Sequence, residues 1–74
     1  MEEYTIQVNK VEELQATNDI HALNAIFQKA KETIVSGLEV ILERLQPNGQ
    51  PFQFDKITTL EDLNIYKKQV YKYL

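Results

Sequence analysis

The sequence predicts a small, mainly helical domain. A long central helix packs antiparallel on a shorter C-terminal helix, and an N-terminal segment folds across both. Three observations carry this. Apolar residues recur at helical spacing from Ile20 to Leu45, a second stripe runs from Leu60 to Leu74, and a loop rich in proline and glycine separates them. The alternative is a small α+β domain with a minor two-stranded ladder between residues 4–8 and Phe52–Phe54.

The first segment, Tyr4 to Val8, alternates apolar and polar residues and reads as a short strand. A short helix follows from Asn9 to about Ala16, with Asn9 as cap and Glu12 three residues on, as in a capping box.

The central helix is expected over residues 19–45. Ile20, Leu23, Phe27, Ala30, Ile34, Leu38, Ile41 and Leu45 keep to one side of a helix turning ~100° per residue. Thr17, Asn18 and Asp19 are successive N-cap candidates, and Pro47 ends the helical run. Val35, Val40 and Leu42 widen the apolar arc in its second half. Gly37 inside that arc predicts either a kink or break at Ser36-Gly37, or close approach of another backbone.

The loop Gln46 to Pro51 holds Asn48-Gly49, a frequent hairpin signal. Its flanking prolines remove ladder donors, so it is read as a helix-to-helix connection, with Phe52 and Phe54 plugging the end of the core. The last helix starts near Thr58 or Thr59, with Glu61 and Asp62 in its first turn. Its core face carries Leu60, Leu63, Tyr66, Val70, Tyr73 and Leu74, and Ile65 lies opposite.

Composition narrows the function classes. The chain of 74 residues is read as one domain, residues 1–74. It has no cysteine and one histidine, which removes disulfides, thiolate metal sites and nitrogen-rich metal clusters. Eleven acids against eight bases leave a net charge of −3, which disfavours nucleic acid and anionic membranes as partners. No apolar run reaches the ~18 residues of a membrane span, and the Met-Glu-Glu-Tyr start has no signal-peptide pattern, so a cytoplasmic protein is expected.

No catalytic, metal, cofactor or small-molecule motif emerges. His21 falls on the polar side of the central helix without a nucleophile or carboxylate at a catalytic spacing. Glu39 and Glu43 form an i,i+4 pair on the same polar side, read as solvated. Tyr66 to Leu74 interleaves lysines and tyrosines, the chemistry of single-stranded nucleic-acid contacts, although a helix end with core tyrosines explains it equally.

A helix of that extent would run about 40 Å, against roughly 30 Å for a compact chain of this length, so a second chain is expected to cover it. The expected function is a non-catalytic protein–protein interaction or assembly module, a homodimer or a complex with another protein, with Val35, Gly37, Leu38, Val40 and Leu42 at the interface. The alternative is a small nucleic-acid-associated regulatory protein using Lys67, Lys68, Tyr71 and Lys72.

Overall fold

The computed structural model describes residues 3–74. Its elements are β1 (Tyr4–Gln7), α1 (Val8–Ala16), α2 (Ile20–Val35), β2 (Val40–Leu45), β3 (Pro51–Ile57) and α3 (Leu60–Tyr71). The fold is α+β: three helices and a mixed three-stranded sheet in the order β1-β2-β3. β1 runs parallel to β2, from Tyr4 opposite Val40 to Gln7 opposite Glu43. β3 returns antiparallel, from Val40 opposite Ile57 to Leu45 opposite Pro51, with a register shift between Leu42 and Glu43.

This corrects the mainly helical prediction, and the minor two-stranded ladder with it. The predicted central helix stops at Val35. Gly37 adopts a φ of +84°, the Gly37 N–H bonds to the Ile34 carbonyl (2.9 Å), and the Leu38 N–H bonds to the Thr33 carbonyl (3.0 Å). Those two bonds form the paired helix stop that a left-handed glycine allows. Gly37 is therefore neither a kink nor a helix-packing groove. Of the residues that widened the helical arc, Val35 ends α2, while Val40 and Leu42 belong to the central strand, Val40–Leu45. Alternation puts Val40 and Leu42 on the core face and Ile41 and Glu43 on the other.

A second correction concerns the loop. Gln46 to Gln50 is a hairpin connection: the Gly49 N–H bonds to the Gln46 carbonyl (2.9 Å) and the Gln46 N–H to the Gln50 carbonyl (3.0 Å). Pro47 occupies the second turn position, where its fixed φ is favourable, and Gly49 takes φ +83°. Pro51 is the first residue of an edge strand, where a missing N–H is tolerated.

The remaining ends follow sequence signals. Asn18, with φ +56°, closes α1 by the same paired motif used at Gly37, and Asp19 caps α2 by accepting from the Ala22 N–H (3.1 Å). Thr59, not Thr58, caps α3 through the Asp62 N–H (3.1 Å). Asn9 does not cap α1. It lies within the helix, and its carboxamide reaches Leu45, accepting from the N–H (2.8 Å) and donating to the carbonyl (3.3 Å).

One core draws on every element. Ile6, Val11, Leu14, Leu23, Phe27, Ala30, Val40, Leu42, Ile57, Leu63 and Val70 pack together. Leu23 and Val40 are fully buried, and burial of such side chains stabilises by about 1.5–3 kcal/mol each. Among the described residues no helix is long and apolar enough to cross a membrane.

Candidate interaction surface

β3 is the least covered element of the fold. Pro51 to Lys56 are all exposed and only Ile57 is buried. Among the described residues β3 pairs with β2 alone, so its outer edge offers a row of backbone donors and acceptors. Phe52, opposite Arg44, and Phe54 are 53% and 48% exposed. Neither plugs the core, contrary to the sequence expectation: both rings stay about half exposed.

Phe54 is the extra residue of the register shift, since Asp55 stands opposite Leu42 and Gln53 opposite Glu43. Its ring lines a groove of about 260 Å³ with Val8, Val11, Tyr66, Val70 and Tyr73. Tyr73 is 74% exposed, so an aromatic rim runs from β3 to the end of α3. Arg44 and Glu12 form the polar wall of the groove as a bidentate pair at 3.0 and 2.9 Å. Hydrogen bonding from Arg44 holds the Glu12 carboxyl below the usual carboxylate range. Burial first, and the nearby Glu12 charge second, push the Tyr66 hydroxyl up to about 12.

Natural sheet edges are often blunted by proline, lysine or a bulge. Here Pro51 stands at the strand's start, Phe54 is a bulge residue, the Asp55 carboxylate accepts from the Lys56 N–H (2.8 Å) and the Lys56 ammonium is engaged by Glu39 at 3.3 Å, so the edge is partly blunted and Phe52 and Gln53 are its regular open residues. The other sheet edge, β1, has four residues, and Lys29 sits over its Tyr4 ring at 5.5 Å.

The predicted interface residues do not form one surface. Val35 is 67% exposed at the end of α2, Gly37 is in the exposed turn beyond it, and Leu38 is half-buried. Val40 and Leu42, at 0% and 4% exposure, lie in the chain's own core because the arc that joined them to Val35 is a strand. Of the lysine and tyrosine set, Lys67 and Tyr71 are brought together, with the ammonium 5.5 Å from the ring centroid. The Tyr71 ring packs edge-on against Phe27 at 5.8 Å, whereas Lys68 and Lys72 are exposed.

His21 is exposed near the start of α2. Glu39 and Glu43 belong to β2 and its approach, not to a helix, and Glu39 is paired with Lys56. Among the described residues no three histidine or carboxylate side chains converge to hold a metal. The exposed phenylalanines were missed as surface residues. The usable signal was Asn48-Gly49 followed by the alternating Phe52-Gln53-Phe54.

No protein-family model, no curated protein and no solved structure matches the chain.

Proposed function

We propose that the chain is a non-catalytic assembly module that pairs with a second copy of itself through the outer edge of β3. The supporting observation is a seven-residue strand paired on one side only, with two phenylalanines about half exposed. An open edge strand is completed by another strand, and identical chains associate most often about a two-fold axis, which makes the pairing antiparallel.

Side-chain chemistry selects among registers. Centring the pair on Asp55 opposes two carboxylates, which is unfavourable. Centring it on Gln53 sets Phe52 of each copy opposite Phe54 of the other, an aromatic pairing that stabilises cross-strand contacts. Phe52, Phe54 and Tyr73 together offer roughly 350 Å² of exposed aromatic surface per chain, below the ~800 Å² per partner of a standard stable interface. A reversible dimer is expected, with less buried surface than a standard stable interface.

The test compares Phe52→Lys and Phe54→Lys with the unaltered chain. Both variants are expected to fold, Phe54→Lys with a lowered Tm because its ring lines the groove beside Val11 and Val70, and to stay monomeric at concentrations where the parent dimerises. Parent and variants of equal mass across the series would refute the proposal.

A further inference from the structure

A roomier cleft than the β3 groove lies elsewhere, between α2 and α3, and holds about 550 Å³, within the range of small-molecule sites. Its floor is Phe27 and Leu63, both buried, and Leu60 forms an apolar shelf at one side. Its polar lining is Asn24, Gln28, Asn64, Lys31 and Lys67, with no acid. In a chain where acids outnumber bases, that selection is distinctive. Among the described residues neither Lys31 nor Lys67 has an ion-pair partner; the three pairs formed use Lys10, Arg44 and Lys56.

Tyr71 organises two of these groups from outside the cleft. Its hydroxyl donates to Asn24 Oδ1, which leaves the Asn24 amide N–H₂ as an open donor. Its ring face holds the Lys67 ammonium at 5.5 Å, so part of the ordering cost of that flexible side chain is met before any ligand arrives. Packing of Tyr71 against Phe27 fixes the ring itself.

We propose that the α2–α3 cleft binds a small organic oxyanion, with Lys31, Lys67 and Asn24 holding the anionic group and Leu60 and Leu63 its apolar body. Two ammonium groups and the Asn24 N–H₂, whose carbonyl oxygen is already taken by the Tyr71 hydroxyl, supply donors, which suits a phosphate or carboxylate. The apolar shelf favours an organic ester over the free ion. This site is independent of the β3 edge.

The experiment is a nuclear magnetic resonance titration of the isotopically labelled full chain at constant ionic strength, with phenyl phosphate in one arm and inorganic phosphate in the other. Phenyl phosphate is expected to produce saturable shifts in the Asn24 and Asn64 side-chain amides with a millimolar or tighter dissociation constant. Inorganic phosphate should bind roughly tenfold more weakly, the effect of about 1.4 kcal/mol from the apolar body. Lys31→Gln with Lys67→Gln should weaken phenyl phosphate at least tenfold at unchanged Tm, and Tyr71→Phe, which keeps the ring, should weaken it severalfold. Absence of saturation, equal affinity in the double lysine variant, or equal affinity for the two anions would each overturn the proposal.

Discussion

The Asn9 side chain closes both backbone groups of Leu45, accepting at 2.8 Å and donating at 3.3 Å. The offset of 36 residues between the two is that of the β1–β2 ladder, where Tyr4 stands opposite Val40. The carboxamide thus supplies the next rung after the backbone has turned into α1. Asn9→Ala is expected to destabilise by about 1–2 kcal/mol, because two backbone groups lose their partners. Denaturant titration measures this; a change below ~0.3 kcal/mol would mean water replaces the carboxamide without loss.

Gly37 gives a test of sign. At φ +84° an added Cβ meets no neighbour within 4 Å, so only the left-handed backbone resists it. Gly37→Ala is expected to cost about 1–2 kcal/mol. Inside a continuous helix the same change would stabilise by ~1 kcal/mol. Thermal unfolding distinguishes the two directly.

α1, α3, the first part of the predicted central helix, the strand character of Tyr4 to Gln7 and the presence of a loop at Gln46 to Gln50 were legible in the sequence, because periodicity and turn residues are local signals; the central helix's extent and the Asn9 cap were not. The break at Gly37 was not assigned its true consequence. Leu38 to Leu45 satisfies a helical stripe and a buried strand alike, and periodicity does not separate these over a short apolar run. The α+β fold is decided by pairing with β1 and β3, which are distant in the chain. Two prolines masked the hairpin, although both occupy positions where a proline costs no ladder bond. The exposure of Phe52 and Phe54 was invisible for a related reason: alternation identifies a face, not whether anything covers it.

Leu42→Ala is expected to cost about 2–5 kcal/mol, the range for a buried leucine in a packed core. Leu42→Lys should unfold the chain outright. A folded Leu42→Lys protein would contradict the placement of β2 in the core; circular dichroism and Tm suffice to decide.

The Arg44–Glu12 pair predicts an acid-side dependence. Glu12 has a folded pKa below its unfolded one, so its contribution is complete above the unfolded carboxylate pKa and is lost as pH falls through the folded value. Both groups are largely exposed, so the contribution is small and salt-sensitive. Tyr66 acts on the alkaline side. Its folded pKa of about 12 lies above the ordinary tyrosine value of about 10, so its contribution is complete below pH 10 and is lost as pH rises toward 12. Tyr66→Phe should remove that alkaline decline, and phenolate absorbance should lose its highest titration step.

The most direct test of the β3 edge is molar mass by light scattering over a concentration series, run on the parent chain and on Phe54→Lys. The expected result is a parent mass that rises from 8.7 kDa toward twice that value, while the variant, shown folded by circular dichroism, stays at the single-chain mass. A parent chain that remains at the single-chain mass throughout, or a variant that dimerises equally, would contradict self-association through β3.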